Sequence, residues 1–257
     1  MSPETGDTHE TNDARPPARA GAVDGPEAAL RGWDVALILL GFVGCLSLGV
    51  AGVVAVAIFT PHGEKLFARS LPLAVAAIVW QTVILIACIY VLGLRRRSLP
   101  WSAIGFRPAP VGWCAAAVFA GVTLVFLLDA VASAFETPLS ELSEVVARVV
   151  APEGFSWAGM AAMVAAGGVI APLGEEALYR GVLYGWLRRK WGPLAGTIVS
   201  ALIFGISHWN PYWAAFATVI GVVLAVVYEK SGSLWPPILL HMSYNCTGIV
   251  VLYASIR

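Results

Sequence analysis

Long stretches of this chain carry almost no charge. From Trp33 to Phe59 the only charged residue is Asp34, from Leu71 to Leu94 there is none, and from Val111 to Phe135 there is Asp129 alone. A helix rises about 1.5 Å per residue, so roughly 20 apolar residues cross the hydrocarbon of a bilayer. About seven segments meet this rule: Trp33–Phe59, Leu71–Leu94, Val111–Phe135, Trp157–Trp186, Leu194–His208, Tyr212–Tyr228 and Leu234–Ile256. The fourth is long enough to project from the membrane. The fifth and sixth are short and joined by Trp209-Asn210-Pro211, so they also read as one broken hairpin. Composition agrees with lipid as the solvent. The chain is 58% hydrophobic and 12% charged, whereas a soluble domain is about 25% charged, and one core of this size cannot hide the excess. The expected fold is all-α, a polytopic helical membrane protein.

Three regions follow. Residues 1–32 hold Pro3, Pro16, Pro17 and Pro26 with both charge signs, and lack the apolar core of a signal peptide. They predict a disordered polar tail. Residues 33–155 supply three leading helices and a loop, and residues 156–257 a four-helix block. The formal net charge is zero, so nothing points to nucleic acid. Cys45, Cys88, Cys114 and Cys246 have no CxxC spacing and read as small buried hydrophobes. Trp33, Trp101, Trp157 and Tyr212 near span ends read as interface anchors.

Lys and Arg in the short connections orient the spans. With the N-terminus inside, the inner connections hold Arg95, Arg96, Arg97, Arg107, Arg188, Arg189, Lys190 and Lys230, and the outer ones Lys65, Arg69 and Arg148. The N-terminus is therefore expected in the cytoplasm and the C-terminus outside. The outer loop Glu136–Ser156 repeats Leu142, Val145, Val146 and Val149 at helical spacing, which predicts a short amphipathic helix on that surface. The abundance of Ala, Val, Gly and Arg leans toward a prokaryotic cell membrane.

The four-helix block holds nearly every suspicious polar residue: Glu175 and Glu176, Arg180, His208 with Phe204 four residues before it, and His241 with Asn245. An ionised carboxylate at mid-bilayer costs about 2.5–3.5 kcal/mol on insertion scales, so two side by side need partners or a task. Adjacent residues lie about 100° apart on a helix, whereas residues four apart share a face. Arg180 can thus neutralise Glu176 and leave Glu175 turned to a cavity. Such a carboxylate can serve as a general base. Pro172 and Gly174 just upstream are expected to loosen the helix and admit water. A structural ion pair would explain one glutamate and the arginine, not the second glutamate. His208 alone reads as an interfacial residue, and His241 with Asn245 alone as glue between helices. Together the set supplies a base, a group to hold water and donors for an oxyanion. Depth is an obstacle. At 1.5 Å per residue His241 lies about 10 Å from the inner end of its span and His208 about 21 Å from Leu194. The spans must be tilted, broken or begun outside the membrane for these residues to meet. Gly192-Pro193 after the run Arg188–Lys190 suggests that the fifth helix begins in the cytoplasm.

Glu175-Glu176-Ala177-Leu178-Tyr179-Arg180 matches an EExxxR motif, Phe204 to His208 an FxxxH motif, and His241 to Asn245 an HxxxN motif. In this order they resemble the CPBP family, also called the Abi or CAAX-protease-like family, which includes the type II CAAX prenyl endopeptidase and bacteriocin-immunity proteins. Gly232-Ser233-Leu234-Trp235-Pro236-Pro237 adds to the likeness, which covers roughly Trp157–Cys246. The resemblance implies an intramembrane endopeptidase acting on a membrane-associated peptide or protein. By matching positions, Glu175 would activate water, His208 would help hold it, His241 and Asn245 would stabilise the oxyanion, and Glu176, Arg180 and Phe204 would support the site. It also implies one of two chemistries: a metal-free one, which is the expectation here, or one using a divalent metal such as zinc held by Glu175, His208 and His241. No HExxH helix is present. The competing readings are a non-catalytic scaffold or immunity-type protein that keeps the fold, and a small transporter, against which the lack of a detectable repeat weighs.

Overall fold

A computed structural model describes residues 29–59, 70–134, 147, 150–208 and 210–257. The polar tail lies almost wholly outside these residues, and so does nearly all of the expected amphipathic helix. Every regular element among the described residues is helical. Helix α1 spans Gly32–Phe59. Helix α2 spans Leu71–Cys88 and continues as a π-helical turn, Ile89–Leu94, and a 3-10 turn, Arg95–Arg97. A short 3-10 turn, Trp101–Ile104, precedes α3, Val111–Ala134. Then come α4, Trp157–Met163, a π-helical segment, Val164–Ile170, α5, Ala171–Glu176, and a second π-helical segment, Ala177–Tyr184. Helices α6, Gly185–Ile206, α7, Pro211–Ser231, and α8, Trp235–Ser255, complete the bundle. Local signals account for several starts. The Ser156 hydroxyl accepts from Gly159 N at 2.9 Å, Asn210 Oδ1 accepts from Trp213 N at 3.2 Å, and proline stands in the first turn of α2 and α8.

Among the described residues six continuous helices are long and apolar enough to cross a membrane, and one of them runs 50 residues, Trp157–Ile206. The described residues nevertheless form seven apolar helical runs. At Gly192 the backbone takes φ 82° and ψ 171°, a conformation that interrupts the helix and that side chains disfavour. The polypeptide turns back there. A Cβ on Gly196 would meet Arg188 backbone at 3.0 Å, and further along the hairpin the rings of Tyr179 and Phe204 sit 4.9 Å apart. The expected break at Gly192-Pro193 is thus the tip of a helical hairpin. Glu175 lies seventeen residues before the tip and His208 sixteen after it, which sets them at similar depth.

The depth of His241 has a separate cause. Helix α8 does not start at the level of the hairpin tip. Leu234 N donates to Gly105 O at 2.8 Å, and Leu234 Cδ1 would stand 3.3 Å from a Cβ on Gly181, eleven residues before the tip. Its first turn is therefore sunk by roughly 15 Å. The connection between α2 and α3 folds beneath it. Ser233 Oγ donates to Arg107 O at 2.6 Å, Tyr228 Oη to Ile104 O at 3.3 Å, and the rings of Phe106 and Trp235 meet edge to face at 5.8 Å. Spans counted from equal starting depths misplace His241 for this reason.

Charges collect at the two ends of the bundle. At the end that carries the hairpin tip, Arg96 Nη2 pairs with Asp34 Oδ1 at 2.6 Å, Arg188 pairs twice with Glu229 at 2.5 and 2.7 Å, and Arg189 Nη2 donates to Leu30 O at 2.7 Å. At the other end Leu71 N donates to Glu153 Oε1 at 3.0 Å, and the Arg257 guanidinium lies over the rings of Trp157 and Phe155. Between these ends the outer faces are apolar, with Leu40, Leu48, Phe119 and Ile206 well exposed, as expected where lipid is the neighbour. The four cysteines are free thiols, and only Cys88 is buried, so the other three are less enclosed than their apolar surroundings in sequence suggest.

Candidate active site

Helix α5 is one and a half turns of α-helix set between two π-helical segments. Proline at position 172 has no N–H to give to the preceding turn, so the regular ladder is broken next to it. A π turn inserts one residue per turn and rotates everything after it. Close approach of α8 is possible because residue 168 is glycine: a Cβ there would lie 2.6 Å from Cys246 Sγ. One turn of α8 away from His241, Asn245 Nδ2 donates to the Gly167 carbonyl at 3.0 Å.

Glu176 is the centre of the site. It is fully buried, as are Arg180 and His241, which expose 1% and 4% of their surface. Its Oε1 accepts from Arg180 Nη1 at 2.9 Å and from His241 Nδ1 at 2.9 Å. Arg180 Nη2 also donates to the Gly221 carbonyl of α7 at 3.2 Å, and its guanidinium carbon lies 4.6 Å from the Phe204 ring centre. Glu175 points elsewhere, as adjacent residues of a helix must. Its side chain is 22% exposed, and its Oε2 stands 3.8 Å from His241 Nε2.

Phe204 joins the remaining parts. Its ring meets His208 at 4.9 Å, His241 at 5.7 Å and Tyr179 at 4.9 Å, each edge to face. The His208 Nδ1 lies 2.8 Å from the Phe204 carbonyl. A carbonyl only accepts, so Nδ1 carries the proton and the neutral ring offers a bare Nε2. The structure thus brings Glu175, Glu176, Arg180, Phe204 and His241 into one contiguous cluster, with His208 attached through Phe204 and Asn245 one turn along α8. The carbonyls of Gly221 and Gly167 left no trace in the sequence, since any residue carries a carbonyl. Tyr179 had a signal, because it sits four residues after Glu175. Among the described residues no three His, Cys, Asp or Glu side chains converge as a metal-ligand group. Glu175, His208 and His241 do not converge on one point in this arrangement.

Residues 157–247 match the family model described as type II CAAX prenyl endopeptidase Rce1-like. A Bacillus subtilis (strain 168) protein named "Putative membrane peptidase YdiL" is 22% identical over 186 residues, covering 70% of this chain and 73% of the relative. An uncharacterized 24.3 kDa protein of Escherichia coli is 31% identical over 87 residues, 32% of this chain and 40% of that protein. No solved structure matches. The matched segment is the one that holds all three motifs and the buried cluster. Over residues 157–247 this chain is thus similar to the CPBP, or CAAX-protease-like, family of membrane proteases.

Proposed function

We propose that this protein is an intramembrane endopeptidase that hydrolyses a peptide bond of a membrane-associated protein or peptide, using water activated by Glu175. The observation that carries this reading is the facing pair Glu175 Oε2 and His241 Nε2, 3.8 Å apart beside a fully buried Glu176 and Arg180. An apolar bundle that needed only an ion pair would stop at the latter two. Glu175, partly exposed, takes a proton from water as the oxygen attacks the scissile carbonyl. His208, anchored by Nδ1, orients that water with Nε2. Negative charge then grows on the carbonyl oxygen, where the amide of Asn245 donates, joined by His241 once its Nε2 has taken up the proton that Glu175 drew from the water; that proton passes to the leaving amine as the C–N bond breaks. One Asn245 N–H is spent on Gly167, so the second amide hydrogen is the one left for the substrate.

The test is a membrane-anchored reporter peptide and purified protein in nanodiscs. Glu175→Ala should abolish cleavage while the protein remains folded. His241→Ala and Asn245→Ala should each lower the rate by about 10²–10³, the usual cost of one oxyanion donor. Cleavage that persists in Glu175→Ala refutes the mechanism. A phenotype that survives every variant without any cleavage supports the scaffold reading instead. Loss of activity on chelation, restored by zinc, would keep the protease and assign it a metal.

A further inference from the structure

The contact at Glu176 is more than an ion pair needs. A structural pair four residues apart is complete with Arg180 alone. Here the same Oε1 also takes a bond from His241 Nδ1, across from α5 to α8, at 2.9 Å. The other nitrogen of that ring is the one that faces Glu175. We propose that Glu176 is a positioning residue for His241: it fixes the rotation of the ring and its tautomer, so that Nδ1 is protonated and Nε2 is presented to Glu175. The catalytic consequence rests on the protease reading above; the geometry does not.

A histidine ring turns easily about its last torsion, whose minimum is broad and roughly two-fold. Something must choose which edge faces the reacting atoms. An ionised carboxylate can only accept, so the nitrogen it meets carries a proton, and in the neutral ring the other nitrogen is bare. The carboxylate is itself held from several sides. Arg180 reaches it from the π-helical segment and is tied to the Gly221 carbonyl of α7, while Phe204 of α6 lies under the guanidinium and against the edge of His241. The second oxygen of Glu176, Oε2, and Arg180 Nε have no hydrogen-bond partner among the described residues. All the hydrogen bonding of Glu176 is therefore directed through Oε1 at Arg180 and His241. His208 is set in the same manner by a backbone carbonyl. Both histidines are anchored by Nδ1, one through a neutral acceptor and the other through a charged one.

The chain has four histidines, His9, His62, His208 and His241. Selective ¹⁵N labelling of histidine in nanodiscs resolves their ring nitrogens, and His241→Gln identifies one pair by its loss. The wild-type ring of His241, in its neutral form, should show a protonated Nδ1 and a bare Nε2. In the double variant Glu176→Leu with Arg180→Leu, which removes both partners and leaves no buried charge stranded, the ring should shift to the Nε2-protonated form that free imidazole side chains prefer. Reporter cleavage should fall about 10–100-fold in kcat, as for other carboxylates that orient a functional histidine, with KM nearly unchanged. A bare Nδ1 in the wild type, or ring signals that do not move in the double variant, overturns the proposal. The wild-type tautomer decides the question by itself if the variant does not fold. If the wild type cleaves nothing but its ring signals behave as stated, the positioning inference stands and the protease reading falls.

Discussion

Two adjacent glutamates in one helix can have opposite duties, because a step of one residue turns the side chain through about 100°. Glu176 is sealed inside the bundle with Arg180 and His241, and Glu175 stands partly open. Glu176→Gln leaves Arg180 buried without its counter-charge. Breaking a buried pair in this way typically costs about 3–5 kcal/mol, and the folded yield and melting temperature in detergent should drop accordingly. Glu175→Gln should be milder, since a partly hydrated carboxylate loses less. If Glu175→Gln proves the more damaging of the two in a melting experiment, the division between them is reversed. The link from Glu176 to Arg180 was legible from spacing alone. The link from Glu176 to His241 was not, because it joins residues on different helices and no periodicity reports a contact of that range.

Among the elements, the hairpin at Gly192 and the paired π-helical segments do most to shape the site. The hairpin sets the register that brings Phe204 against Tyr179 and Arg180. Its turn depends on a backbone conformation, φ 82° and ψ 171°, that is essentially restricted to glycine. Gly192→Ala should therefore destabilise the protein by about 1–3 kcal/mol without touching any polar group of the site. Thermal unfolding of the purified variant measures this, and an unchanged melting temperature would show that the turn tolerates a side chain. The Gly-Pro pair announced a break in the sequence. The π-helical segments were not announced. Pro172 suggested a loosened helix, but the extra residue per turn depends on how α8 and α2 pack against that stretch, which a 3.6-residue pattern does not encode.

For the whole molecule, the two charged ends define the membrane faces, and the arginine bias predicts the hairpin tip in the cytoplasm. In a cysteine-free background, Arg95→Cys and Ser255→Cys lie exposed at opposite ends of the bundle. An impermeant thiol reagent added to intact cells should label position 255 and spare position 95 until the membrane is opened. The reverse pattern would invert the orientation. Composition, span lengths and charge bias were enough to determine that this chain is a helical membrane protein, because burial in lipid and the hydrogen-bonding demands of the backbone act on every residue of a span independently of its neighbours. Three short motifs marked the candidate residues. Only the tertiary structure decided how they meet. The sunken start of α8, the loop folded beneath it and the return at Gly192 bring His241 to Glu176 and His208 to the same level. Those depths follow from contacts between distant segments, which exist only once the helices have packed.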